Sequence, residues 1–265
     1  MRQNHITFQE EIDKLIKDKD IFLSVSEIFG PTFQGEGISI GRRCMFLRLA
    51  YCPLHCCFCD TAYTWRYNDA HPHVNNTVYN KDKEIRKLLP TSIYQELDKI
   101  GCDFLVISGG EPLVQIKNLR VLLEHVYNSG KVSRVEIETA GIIKPTFIDY
   151  LPFPEGVNYN VSPKLQSSGN TKEQRYKPDV LKSFLYTDKA IFKFVVTEEN
   201  DISEIRAIQS EINIPDHLIW IMVEGATSES QISKLKVLGQ IILEKTNWNI
   251  TPRLHTLMWE NKRET

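Results

Sequence analysis

The chain has 265 residues, 42% of them hydrophobic and 25% charged, with 13 glycines and 12 prolines, so disordered, collagen-like and low-complexity architectures are excluded. A formal net charge of −2 gives no bulk attraction to nucleic acid or to anionic lipid, and no apolar run is long enough to span a bilayer. The length suits one large domain.

From the N-terminus, Met1 to His5 leads into a charged stretch with no apolar h-region, so a secretory signal is not expected and the cytoplasm is. Residues 6–20 read as an amphipathic helix, and 1–21 as an N-terminal extension to a core domain over 22–265. Two β-rich runs follow, 22–29 and 44–50, joined by the turn Gly35-Glu36-Gly37. Directly after the second comes Cys52-Pro53-Leu54-His55-Cys56-Cys57-Phe58-Cys59. Residues 62–90 are polar and aromatic without a clear period and read as an insertion or lid.

Beyond it helix and strand alternate. A helix is expected to start at a capping box of Ser92 and Gln95 and to stop at Gly101. Strands are expected at 104–107, 134–139, 157–161, 191–196 and 218–223, with a last one at 248–253. Helices are expected between them, for example at 119–128, 202–212 and 229–245. This alternation means parallel strands with right-handed crossovers, in an open α/β sheet or a complete or partial barrel, with ligands at the strands' C-terminal ends.

Chemistry concentrates at two places. Cys52, Cys56 and Cys59 form C-x3-C-x2-C, three thiolates able to hold a four-iron cluster with one iron left open. A structural zinc site completed by Cys57, Cys44 or His55 is the plainer alternative. Ser108-Gly109-Gly110-Glu111-Pro112 ends a strand on paired glycines, which let backbone groups approach a ligand closely. Cys44 and Cys102 read as ordinary buried residues, and Cys57 as a bystander.

Together the three-cysteine loop and Gly-Gly-Glu-Pro resemble the radical S-adenosylmethionine superfamily. Glu27-Ile28-Phe29, Phe33-Gln34-Gly35-Glu36-Gly37, Phe46-Leu47-Arg48-Leu49, Cys59-Asp60-Thr61, Glu138-Thr139, Ser162-Pro163-Lys164 and Arg253-Leu254-His255 narrow the resemblance to the 7-carboxy-7-deazaguanine synthase family. That resemblance implies an α/β fold, a partial (β/α)6 TIM-like barrel, working as a homodimer. It implies conversion of 6-carboxy-5,6,7,8-tetrahydropterin to 7-carboxy-7-deazaguanine with loss of ammonia, on the route to queuosine and other deazapurines. The implied cofactors are a 4Fe-4S cluster, S-adenosylmethionine and Mg2+, with a flavodoxin- or ferredoxin-type reductant and no membrane or direct nucleic-acid partner. In that chemistry hydrogen abstraction at C6 of the pterin is reversible, and S-adenosylmethionine is regenerated.

Position by position, the resemblance makes Cys52, Cys56 and Cys59 the cluster ligands and Thr61 the magnesium ligand. Phe33, Gln34, Gly35, Glu36, Arg48 and Ser108 would meet the substrate, Arg48 and His255 being candidate orienters. Phe58, Cys59, Asp60, Gly110, Ser162, Pro163, Lys164 and the stretch Ile221, Met222, Val223 and Glu224 would meet S-adenosylmethionine, with Glu138 on its ribose. Tyr51 stands where the family usually has glycine, and Pro53 where it has asparagine. A radical activating enzyme acting on a protein would share the two main motifs without needing Gln34-Gly35-Glu36-Gly37 and Arg48; a non-catalytic binding module would need neither Ser108-Gly109-Gly110-Glu111 nor Lys164 at strand ends.

Overall fold

The structure is a computed structural model that describes residues 21–146 and 151–265; the expected helix at 6–20 lies outside them. The described strands are β1 (Leu23–Phe33), β2 (Arg43–Leu49), β3 (Arg86–Leu88), β4 (Phe104–Gly109), β5 (Arg134–Thr139), β6 (Val157–Val161), β7 (Ala190–Val196), β8 (Ile219–Val223) and β9 (Asn249–Thr251). The helices are α1 (Lys81–Glu84), α2 (Pro90–Ile100), α3 (Ile116–Asn128), α4 (Lys172–Arg175), α5 (Pro178–Leu185), α6 (Asn200–Ile212), α7 (Ser228–Lys245) and α8 (Leu254–Trp259).

One sheet runs β3-β1-β2-β4-β5-β6-β7-β8-β9, antiparallel among β3, β1 and β2 and parallel from β2 to β9. The parallel strands follow chain order without reversal, so the sheet is wound in one sense, the topology of barrels. Among the described residues β3 and β9 do not pair, which leaves the sheet open. No helix is described between β5 and β6.

Side-chain alternation along the strands decides what this sheet can do. Leu47, Leu105, Ile107, Ile137, Tyr159, Phe192, Phe194, Ile221 and Val223 join Leu122, Phe184, Ile205 and Ile242 of the helices in one core. Burial of that apolar surface drives folding, at roughly 25 cal/mol per Å². The opposite face of the same strands carries Arg48, Ser108, Glu136, Glu138, Asn160, Lys193 and Thr251, mostly polar and mostly buried. A polar inner face survives only if its groups bond one another, and here the loop after β1 is the filler. Gln34 Nε2 donates to Glu136 Oε1 at 2.6 Å and Glu138 Oε1 at 3.1 Å, Ser39 Oγ donates to Glu136 Oε2 at 2.6 Å, and Gly37 N donates to Thr251 Oγ1 at 3.0 Å. The loop therefore crosses the inside of the sheet from β1 to β9.

Several local expectations are corrected. The helix after the insertion starts one turn earlier than Ser92: Leu89 is its N-cap and Pro90 its first residue, where the missing N–H and fixed φ of proline suit a helix start. Gly101 ends it at φ 69°, as expected. A helix between β6 and β7 was expected without bounds, and the structure places two short ones there, α4 and α5; α8, after the last strand, was not expected. Thr171 and Gln174 form a capping box at α4, and Pro178 opens α5. The insertion is partly integrated, since its residues 86–88 pair with β1 as an edge strand. Among the described residues no helix is long and apolar enough to cross a membrane.

Candidate active site at the carboxyl ends of the strands

A cavity of about 520 Å³ opens at the C-terminal ends of the parallel strands. Its lining includes nearly every residue expected from the sequence: Phe33, Gln34, Gly35, Glu36, Arg48, Cys52, Cys56, Phe58, Cys59, Asp60, Thr61, Ser108, Gly110, Glu138, Ser162, Lys164, Met222, Glu224 and His255. Ile221 and Val223 do not line it. They sit fully buried against the helices, because strand alternation lets only Met222 and then Glu224 reach the inner side. Pro163 is buried between two lining residues without lining the cavity itself.

The cysteine loop leaves β2 and is gripped from two sides. From the loop after β6, Ser168 O accepts from Cys57 N at 3.0 Å and Asn170 Oδ1 accepts from His55 N at 2.8 Å. From the insertion, the His73 ring meets Cys59 O at 2.7 Å and Val74 N donates to Cys57 O at 2.9 Å. Cys52, Cys56 and Cys59 face the cavity, whereas Cys57 turns its Sγ toward Ser167 O at 3.5 Å. Asn170 Nδ2 lies 3.3 Å from Cys56 Sγ, and Trp65 Nε1 3.4 Å from Cys59 Sγ. Donors aimed at sulfur favour thiolates, the form an iron–sulfur cluster needs. Burial pushes the Cys56 thiol up to about 11, so binding there displaces protons. Cys44 lies buried with Phe104 and Val106, away from this site.

The glycine motif closes the site's floor. Gly110 N donates to Leu49 O at 2.9 Å and Glu111 N to Tyr51 O at 2.8 Å, so the motif knits the ends of β2 and β4 together. A Cβ on Gly110 would stand 2.1 Å from Tyr51 O and 3.0 Å from Cys52 Cβ, leaving room there only for glycine. Glu111 is wholly buried, accepting from Ala140 N at 2.7 Å, Thr139 Oγ1 at 2.8 Å and Leu113 N at 3.1 Å. Tyr51 takes φ 72°, the left-handed backbone that glycine adopts more freely.

The polar wall holds Lys193, which motif reading passed over, and Arg253, which it quoted without a site role. Lys193, 2% exposed, donates to Glu36 Oε2 at 2.5 Å and Glu138 Oε2 at 2.8 Å. Arg253 donates to Glu36 Oε1 at 3.2 Å, to Gly225 O at 2.8 Å and to Asp60. Burial disfavours the ionised Glu36 carboxylate, but Lys193, Arg253 and His255 outweigh it and hold its pKa well below the usual carboxylate range. Glu138 is pushed upward by burial despite Lys193. With Gln34 and Asn160 also donating to its Oε1, Glu138 has little acceptor capacity left for a ribose. Gln34 itself is 2% exposed and bound to the inner face, so its side chain acts as a brace for the loop.

Arg48 donates through Nε to Glu27 Oε2 at 2.7 Å and through Nη1 to Ser108 Oγ at 3.2 Å. Arg253 Nη2 lies 3.2 Å from His255 Nε2, which makes that nitrogen the acceptor and leaves the ring proton on Nδ1, toward Gly35. Burial lowers the His255 pKa, so the ring is neutral near pH 7. One sequence signal could have revealed Lys193, a lone lysine in the apolar run of β7; Glu27, quoted among the motifs without a site role, is likewise a lone glutamate on the buried register of β1.

A 4Fe-4S single cluster domain family matches residues 33–152. The 7-carboxy-7-deazaguanine synthase of Pyrobaculum aerophilum is 31% identical over 244 residues, covering 90% of this chain and 96% of its own length. That of Bacillus subtilis is 30% identical over 260 residues, covering 91% and 98%. The crystal structure of QueE from Escherichia coli superposes with a TM-score of 0.64 at 23% identity, covering 92% of this chain and 99% of that one, a likeness of fold. With full-length relatives at this identity and a three-cysteine loop facing a glycine-floored cavity, the chain belongs to the 7-carboxy-7-deazaguanine synthase family.

Proposed function

We propose that this chain converts 6-carboxy-5,6,7,8-tetrahydropterin to 7-carboxy-7-deazaguanine with release of ammonia. The observation that carries the reading is the placement of Cys52, Cys56 and Cys59 and of Arg48, an arginine with donors to spare, on one cavity. The three cysteines would hold a 4Fe-4S cluster, and Gly110 with Ser162, Lys164, Met222 and Glu224 would line the S-adenosylmethionine side. When bound, cluster and S-adenosylmethionine together supply one-electron chemistry that removes a hydrogen atom from a substrate carbon.

The chain's own residues bind and orient. Arg48 would take the substrate carboxylate by a charge-assisted hydrogen bond, steadied by Ser108 and Glu27. The loop Phe33–Glu36, braced from below by Gln34 and Lys193, would present backbone groups to the heterocycle's edge. Neutral His255, held by Arg253, would orient the ring beside Gly35. Thr61 offers one hydroxyl oxygen on the cavity wall, suited to a Mg2+ ion whose other ligands would be substrate oxygens and water. Homodimer formation and supply of electrons by a flavodoxin- or ferredoxin-type protein belong to the same reading, as does a single core domain over 22–265.

The test is anaerobic: reconstituted protein with S-adenosylmethionine, a chemical reductant, Mg2+ and the carboxytetrahydropterin should yield 7-carboxy-7-deazaguanine and ammonia one for one. Cleavage of S-adenosylmethionine that is blind to the pterin would sink the reading and favour a radical activating enzyme acting on a protein.

A further inference from the structure

The segment after α8 folds back onto the cavity. Glu260 accepts from Ser228 N at 2.8 Å and Ser228 Oγ at 2.5 Å, and Asn261, Arg263 and Thr265 then line the mouth. Arg263 stacks over the Tyr63 ring at 3.8 Å, donates through Nε to Glu27 Oε1 at 2.7 Å and through Nη2 to Glu84 Oε2 at 3.0 Å. The Glu27 side chain is 1% exposed. Its other oxygen, Oε2, accepts from Arg48 Nε and from Tyr63 Oη at 2.9 Å.

This division of one carboxylate between two arginines matters because a glutamate with both oxygens free closes a two-bonded fork on a single guanidinium. Here Arg263 occupies Oε1, so Glu27 holds Arg48 through Nε alone. Among the described residues Arg48 Nη2 meets no hydrogen-bond partner, and Arg48 lines the cavity. Resting on the reading that Arg48 captures the substrate's carboxylate, we infer that Arg263 is a positioning residue: by holding Glu27 Oε1 it keeps the Arg48 guanidinium available, and so sets the preference for a carboxylated pterin. Without Arg263, Glu27 turns its freed oxygen onto Arg48 and competes with the substrate for the same donors.

The experiment compares two ligands on anaerobically reconstituted enzyme with S-adenosylmethionine present: 6-carboxytetrahydropterin, and tetrahydropterin lacking the carboxylate. Wild type should prefer the first. Arg263→Gln should lose about tenfold in affinity for the carboxylated ligand, the scale of one net hydrogen bond, and nothing for the other. Arg263→Lys should restore part of the loss, and adding Arg263→Gln to Arg48→Gln should change neither affinity. Equal loss for both ligands would make the segment merely structural, and an unchanged preference would remove Arg263 from recognition; either overturns the inference while leaving Arg48 in place. A wild type that does not distinguish the two ligands would overturn the role of Arg48 and this inference with it.

Discussion

Replacing Lys193 by methionine keeps the length of the side chain and deletes the cation between Glu36 and Glu138. In the wild type its Nζ stands 2.5 Å from one carboxylate and 2.8 Å from the other, with its own side chain 2% exposed and theirs 17% and 19%, so water replaces the lost cation only in part. Removing one member of a buried ion network strands the rest and costs about 3–5 kcal/mol. Against a total stability of roughly 5–15 kcal/mol that is a large fraction, equivalent to a fall of about 10 °C in melting temperature for a chain of this size. The pH dependence makes the test specific. In the wild type Glu36 has a depressed pKa, so its contribution is present above the ordinary carboxylate value and is lost only as pH falls through the lower folded value. In Lys193→Met the stranded carboxylates shift upward instead, Glu138 first because burial already pushes it that way. An acid whose folded pKa is raised loses stability as pH rises, so the variant's deficit should be largest near pH 8 and shrink toward pH 5.5. Urea unfolding of both proteins at the two pH values reads this directly. A loss under about 1 kcal/mol, or one that does not change with pH, would refute the view that Lys193 holds the inner face together.

Three other substitutions probe the cavity. Alanine at Cys52, Cys56 or Cys59 should remove the iron and its visible absorbance after anaerobic reconstitution, while Cys57→Ala retains both, since Cys57 faces Ser167; stoichiometric zinc in the wild type would count against the cluster. Gly110→Ala places a Cβ 2.1 Å from Tyr51 O, so cofactor affinity measured by equilibrium dialysis should fall at least tenfold, and unchanged binding would show that the strand ends yield easily. Thr61→Val should lower turnover and steepen its magnesium dependence with iron content intact, as iron analysis and a metal titration can show; full activity indifferent to magnesium would move the cation site elsewhere.

Motifs were the most legible part of this sequence because each carries several rare residue types at fixed spacing. The cysteine loop, Gly-Gly-Glu-Pro and the loop Phe33–Glu36 all reach the cavity. Strands β5 and β6 were readable to the residue because their apolar alternation is bounded by polar or glycine-rich turns. The bounds of α4 and α5, and their division into two helices, escaped because they are short and start at local signals, a capping box and a proline, with no long apolar stripe behind them. Within the site, the resemblance does not separate the two faces of β8: it covers four consecutive residues, and alternation sends Ile221 and Val223 to the core. Nor could it show that Gln34 and Glu138 spend their polar atoms on the inner wall, since partners as far apart as 104 residues become visible only once the sheet has curled around the loop. Tyr51 shows the converse: a departure from the family's glycine at this position leaves the left-handed backbone in place, with Thr64 O accepting from Tyr51 N at 2.8 Å and the Lys81 ammonium 5.1 Å from the ring.

The most direct measurement is the fate of deuterium placed at C6 of the carboxytetrahydropterin. With reconstituted wild-type enzyme, Mg2+ and a reductant, mass spectrometry should find deuterium in recovered S-adenosylmethionine while labelled substrate disappears and 7-carboxy-7-deazaguanine accumulates. Product with no label in the cofactor would contradict reversible hydrogen transfer at C6, and label-free cofactor with no product would contradict the assignment of this cavity to the pterin.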